Sequence, residues 1–179
     1  MATPNDLTQV KAMLYLKNLE PEDECQFISA MQKSKDFHYP YVIAPCTSED
    51  FKTLLKKGQS ENNESYLLMT GNEKIAGVFN VSEIVRGVFQ NAYLGFYATV
   101  DHAGKGLMSQ GLKLLLDKVF NELKLHRIEA NIQPTNSSSI HLVTQNGFRK
   151  EGFSPRYLKI NNIWQDHFRF ALTSEEWMP

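Results

Sequence analysis

The chain has 179 residues, enough to bury a substantial core as one domain without disulfides or metal staples. Apolar residues make up 42% and charged residues 22%, and 19 Lys plus Arg against 20 Asp plus Glu give a formal net charge of −1. That balance disfavours a protein built chiefly to grip nucleic-acid phosphates, so direct nucleic-acid binding is not indicated. No apolar run approaches the ~18 residues of a membrane-spanning helix, and no membrane association is expected. Residues 1–10 are polar and are not expected to act as a secretory leader. Cys25 and Cys46 stand alone, without CxxC or ligand-spaced His. No disulfide or metal site is therefore expected, and a reducing cytoplasm is the expected home.

Tyr15-Leu16 opens as a short strand that turns at Pro21. Over 22–33, Cys25, Ile28 and Met31, with Phe27 and Ala30 beside them, recur at helical spacing. His38-Tyr39-Pro40-Tyr41 and Pro45 break the chain between this helix and the next. Ser48-Glu49-Asp50 ahead of Phe51, Leu54 and Leu55 predicts a capped second helix ending at Gly58, and polar 58–64 a surface loop. Segments 66–69 and 75–81, joined through Thr70-Gly71-Asn72-Glu73, predict a hairpin, and 92–100 a further strand. Past the glycines at 104 and 106, Met108, Leu112, Leu115, Val119, Phe120 and Leu123 predict a helix. Residues 127–132 alternate as a half-buried strand should. Asn136 starts a helix closed by Asn146-Gly147, and 148–153 and 164–172 predict the last two strands. Hairpins followed by strand–helix–strand predict a single α+β domain over 1–179 with one βαβ crossover.

The chemistry is concentrated at the strand-to-helix turn Ala103-Gly104-Lys105-Gly106-Leu107-Met108. Glycines there let backbone approach a ligand with no Cβ in the way. The unpaired amides of the first helical turn, with the helix dipole, favour an anion such as a pyrophosphate. A tight turn that needs glycine for geometry alone is the plain alternative. A Walker A loop fails, because Leu107 follows Gly106 where that motif needs Lys. A dinucleotide fingerprint fits Gly104 and Gly106 but has Ser109 in its third place, with Glu129 roughly where a ribose-binding acid belongs. One βαβ unit is too little for that doubly wound sheet.

Leu94-Gly95-Phe96-Tyr97-Ala98, then Gly104-Lys105-Gly106, a long helix, His126-Arg127-Ile128-Glu129-Ala130, Asn136-Ser137-Ser138-Ser139 and Asn146-Gly147-Phe148 together resemble the GNAT N-acetyltransferase pattern. Within it the chain resembles the RimJ/RimL branch, which acetylates protein N-terminal α-amino groups. Residues 79–89 and Trp164-Gln165-Asp166-His167 resemble its RimJ members, which act on the N-terminal alanine of a ribosomal protein. The resemblance covers about 15–177.

The resemblance implies a mixed sheet of about six to seven strands flanked by helices, with a splayed acetyl-CoA cleft. Its R/Q-x-x-G-x-G/A loop falls on Ala103, Gly104, Lys105, Gly106, Leu107 and Met108; Ala103 and Met108 depart from the pattern. The pantetheine arm would lie between Phe96-Tyr97-Ala98 and the Glu129-Ala130-Asn131 strand, with Asn136 touching it. Asn136 is equally suited to a plain helix cap. Ser139 is the candidate donor of a hydrogen bond to the departing thiolate, or else a helix-surface serine. Glu83, before the turn at Val85-Arg86-Gly87, is a candidate proton acceptor, with Asp166-His167 or a water relay as alternatives. Glu129 is better explained as a partner of Arg127. Tyr39, Tyr41 and Phe89 are candidates for an acceptor groove.

The expected activity is acetyl-CoA-dependent acetylation of a protein N-terminus by direct attack of the amine on the thioester. Alanine is the expected first residue and a ribosomal protein the candidate acceptor. Acetylation of a polyamine or antibiotic is the enzymatic alternative, disfavoured by the lack of an acidic cluster over 83–93. A non-catalytic CoA-binding, ribosome-associated factor is the alternative of another class. The chain is expected to be a monomer or a homodimer.

Overall fold

The computed structural model describes residues 14–178; residues 1–10, on which the leader expectation rests, lie outside them. The described residues form one seven-stranded sheet, β1 (Tyr15–Asn18), β2 (Glu64–Met69), β3 (Ile75–Val85), β4 (Asn91–Ala98), β5 (Arg127–Ile132), β6 (Arg149–Ile160) and β7 (Ile163–Thr173). Their spatial order is β1-β2-β3-β4-β5-β7-β6. Every neighbouring pair is antiparallel except β4 with β5. That single parallel pair is the expected crossover, made by α4 (Leu107–Asp117) and a π-helical turn, Lys118–Glu122.

Each face of the sheet carries its own core. On one face α4 and α5 (Ser137–Gln145) cover Phe79, Val81, Ala92, Ile128 and Leu172. Leu112, Leu115 and Leu116 supply the buried stripe of α4, each contributing on the order of 1.5–3 kcal/mol of apolar burial. On the other face α1 (Glu24–Lys33) and α3 (Ser48–Gly58) cover Leu67, Met69, Val78 and Tyr97. The strict alternation of β5 sends Ile128, Ala130 and Ile132 into the first core and Arg127, Glu129 and Asn131 to the opposite face.

Four local expectations are revised. In α1 the buried pair is Phe27 and Met31, while Cys25 is exposed, so the face lies one step round from the expected stripe. Between α1 and the expected break, where no element was expected, stands a four-residue helix, α2 (Lys35–His38). The cap of α3 is Thr47, whose Oγ1 accepts from the Asp50 amide at 3.2 Å. β6 runs on past Phe153 to Ile160, because the Ser154-Pro155-Arg156 stretch is absorbed as a bulge rather than a break. There Arg156 takes a positive φ of 48° and its amide donates to Asp166 Oδ1 at 2.7 Å. No helix among the described residues is long and apolar enough to cross a membrane.

Candidate active site

The parallel pair holds together for only three residues, Asn91–Arg127, Ala92–Ile128 and Tyr93–Glu129. Beyond Tyr93 the strands part. The five residues 94–98 of β4 extend about 17 Å past the last pair. Backbone groups facing this gap have lost their sheet partners and can be satisfied by an extended amide-bearing ligand. Phe96 packs into the core beneath α4, while Tyr97 faces the other core, where burial pushes its phenol well above the ordinary range. Asn131, on β5 beside the gap, has a buried Oδ1 with no partner in the structure.

At the end of β4 the chain makes a short turn (Val100–His102) and passes through Ala103 to Gly104 and Gly106. Both glycines are left-handed, φ 71° and 72°, and a Cβ on either would meet nothing within 4 Å. They are needed for backbone conformation, and they leave the space before them open. Gly106 is the N-cap of α4 and offers no side-chain cap. By helix geometry the amides of Leu107, Met108 and Ser109 lack intrahelical acceptors, and they sit at the positive end of the dipole. Lys105, exposed, bonds the Asp101 carbonyl at 2.6 Å. The loop therefore fits a pyrophosphate through backbone donors, with Ala103 contributing no side-chain charge.

The larger Met108 is accommodated by a notch in the sheet. A Cβ at Gly77 would lie 2.3 Å from Met108 Sδ, so the thioether occupies the room that Gly77 leaves on β3. Ser109 ties α4 to α5, receiving a bond from Asn146 Nδ2 at 3.0 Å. With Glu129 bonded to Arg127 Nε at 2.9 Å and one parallel strand pair in the sheet, the dinucleotide alternative has no support.

Asn136 does cap α5: its Oδ1 accepts from the Ser139 amide at 3.1 Å. That use leaves its Nδ2 available, so capping and ligand contact are compatible. Ser139 is partly exposed on the first turn of α5. Glu83 is exposed in a bulge of β3, with φ 52°, one residue past Ser82, which pairs with Tyr93 at the apex of the splay.

On the sheet face opposite α4 and α5, Tyr93, Glu129, Arg169 and His167 share a polar surface with Tyr157 from β6. Burial, with Tyr157 and Glu129 nearby, raises the Tyr93 phenol. His167 is buried; its Nδ1 donates to the Gln165 carbonyl at 2.9 Å, and burial lowers its pKa, favouring a neutral ring. Arg127 forks onto Glu151, which it holds at a pKa of about 2. Asp166, expected beside His167, instead serves the β6 bulge.

The mouth of the gap is bridged. Tyr41 Oη donates to the Thr135 carbonyl at 2.9 Å, joining the segment after α2 to the loop between β5 and α5. Asn161, in the β6–β7 turn, donates to the Pro40 carbonyl at 3.0 Å. Tyr41 thus reaches the mouth, Tyr39 is exposed, and Phe89 lies at the other end of β4. His38 packs edge-on to Tyr97 and bonds the Ala98 carbonyl at 2.8 Å.

Residues 13–149 match the acetyltransferase (GNAT) domain family. The probable N-acetyltransferase YjcK of Bacillus subtilis is 30% identical over 176 residues, covering 91% of this chain and 95% of that one. The ribosomal protein uS5 alanine N-acetyltransferase of Escherichia coli is 40% identical over 107 residues, 60% of this chain and 55% of that protein. Among solved structures, Mycobacterium smegmatis RimJ in complex with CoA-disulfide superposes with a TM-score of 0.86 at 21% identity, over 94% of this chain and 85% of that one. Vibrio cholerae spermidine N-acetyltransferase in complex with CoA and spermine superposes at 0.77 and 21%, over 91% and 96%. The family match over residues 13–149 and the 30% identity to a relative covered nearly end to end show that the chain belongs to the GNAT family of N-acetyltransferases.

Proposed function

We propose that the protein transfers the acetyl group of acetyl-CoA to the N-terminal α-amino group of a protein, with alanine first and a ribosomal protein as acceptor, in the cytoplasm. The observation that carries the donor is the β4–β5 splay ending at Gly104, Gly106 and the uncapped start of α4. Similarity to the uS5 alanine N-acetyltransferase supports the acceptor.

Acetyl-CoA, when bound, supplies a thioester whose C–S bond breaks as the amine's N–C bond forms. The amides of Leu107, Met108 and Ser109 hold the pyrophosphate, and the open backbone edges of β4 and β5, that of Asn131 among them, hold the arm together with the Asn136 side chain. The acceptor amine enters from the face bearing Tyr93 and His167. An α-amine, with a reference pKa of about 7.7–8.0, is already partly neutral near pH 7 and needs only a modest base. Its proton leaves to Glu83 or His167, directly or through water. The Ser139 hydroxyl hydrogen-bonds the departing thiolate, which takes its proton from water.

The test is CoA release from acetyl-CoA with peptides starting in free Ala, Ser or Met, beside N-terminally blocked peptides with an internal Lys, and spermidine. Turnover on free α-amino ends, best with Ala, is expected. Turnover on spermidine or lysine alone rejects the acceptor. Acetyl-CoA binding without turnover on any of them favours a non-catalytic factor.

A further inference from the structure

Arg169 is the one arginine of the polar groove whose charge the groove leaves uncompensated. Arg127 is engaged by Glu129 and Glu151, and Arg149 by Glu151 and Glu176. Arg169 forms no ion pair among the described residues, and its Nε is buried with no hydrogen-bond partner. An unmet buried donor on a charged group is costly, and a structure that keeps one leaves it for something else to satisfy.

The place of this guanidinium is built. Gly152 sits opposite Arg169 on β6, and a Cβ there would lie 2.6 Å from Nη2. Gly152 is not among the glycines with positive φ, so what it provides is space rather than conformation. On the other side, Arg169 pairs across β5–β7 with Asn131, whose Oδ1 is also buried and unpartnered. Two neighbours of complementary chemistry, a donor fork and an amide oxygen, thus face the groove without satisfying each other.

We infer that Arg169 donates to the first peptide carbonyl of the acceptor while Asn131 Oδ1 accepts a hydrogen bond from its α-amine, which makes Arg169 a specificity-determining residue for peptide N-termini. The inference rests on the proposed acceptor, a protein N-terminus. A peptide N-terminus carries a donor and an acceptor on one residue, matching the pair. A polyamine carries only donors and positive charge, which the guanidinium repels.

The experiment is steady-state kinetics of the wild-type protein, Arg169→Gln and Gly152→Ala with an Ala-initiated tetrapeptide, alaninamide, isopropylamine (alaninamide's frame without the carbonyl) and spermidine. Arg169→Gln is expected to raise KM for the peptide and alaninamide by about 10- to 100-fold with kcat unchanged. Its KM for acetyl-CoA stays at the wild-type value, its KM for isopropylamine does not rise, and spermidine turnover rises. Gly152→Ala, which displaces the guanidinium but keeps its charge, raises peptide KM in the same direction by less. Equal losses on alaninamide and isopropylamine, or no change on the peptide, overturn the role of Arg169 while the proposed acceptor stands. Wild-type turnover on spermidine and none on peptides overturns both.

Discussion

The imidazole of His38 donates from Nε2 to the carbonyl of Ala98, the last residue of β4. This fixes the strand's end where the glycine turn begins, and it fixes the tautomer, because a carbonyl can only accept. Nδ1 is left buried and without a partner, so a second proton has nowhere favourable to go.

Burial lowers the pKa of His38, against a smaller opposing effect of the Ala98 bond, and burial also lowers His102 and His167. A histidine with a depressed folded pKa contributes stability that is complete above its unfolded pKa of about 6.5 and is lost as pH falls through the folded value. Glu151, held at about 2 by Arg127, contributes stability above its unfolded pKa of 4.5 that fades as pH falls toward 2. Melting temperature is therefore expected to drop in two stages on acidification. His38→Leu is expected to shrink the first stage while lowering stability at neutral pH by about 1–3 kcal/mol, since the Ala98 carbonyl loses its donor. A profile that stays flat from about pH 7 to pH 5 contradicts this.

Gly104→Ala and Gly106→Ala separate conformation from binding. Each places a non-glycine residue at φ near 71–72° with open space before it. The conformational cost is about 1 kcal/mol, or roughly 3 °C in melting temperature. Acetyl-CoA affinity is expected to fall further, by about 10- to 100-fold, as the new methyl keeps the phosphates off the amides. Calorimetric titration beside thermal melts measures both; unchanged affinity removes the loop from the site.

Gly111→Ala sets two magnitudes against each other. Alanine improves α4 by about 1 kcal/mol of helix propensity. Its Cβ would also stand 2.5 Å from Cδ2 of the fully buried Leu68. Overpacking of that kind costs about 1–3 kcal/mol, so net destabilisation is expected in denaturant unfolding. A gain in stability would mean that Leu68 can move aside.

Ser139→Ala is expected to leave the fold intact, because the α5 cap uses the Ser139 amide and not its hydroxyl. If the hydroxyl stabilises the leaving sulfur, kcat falls by about tenfold or more with little change in either KM. Glu83→Gln and His167→Asn then divide the proton-acceptor role: the variant that shifts the acidic limb of the kcat profile, at saturating peptide, identifies the base.

What could be read in the linear chain was local. The left-handed glycines at 104 and 106, the alternation of 127–132 and the cap at Asn136 each depend on a few consecutive residues. What could not be read joins distant segments. Met108 is tolerated because Gly77 lies beneath it, a relationship no window around the loop contains. The His38–Ala98 and Tyr41–Thr135 bonds span 60 and 94 positions. Arg169 looked like any arginine of a polar strand; only the sheet order, which places Asn131 on one side and Gly152 on the other, sets it apart. The length of β6 was hidden by a proline that marks a bulge instead of an end.

The bridge from Tyr41 to Thr135 has a topological consequence. It runs from Tyr41, whose amide donates to the His38 carbonyl, to the loop beyond β5, so the wide end of the gap between β4 and β5 is tied across rather than open. A free chain end can be threaded past such a tie one residue at a time. A loop, which must bring two lengths of backbone in abreast, cannot pass without breaking it. For the acceptor proposed above, entry past this end would be a selection by admission, made before any side chain is recognised.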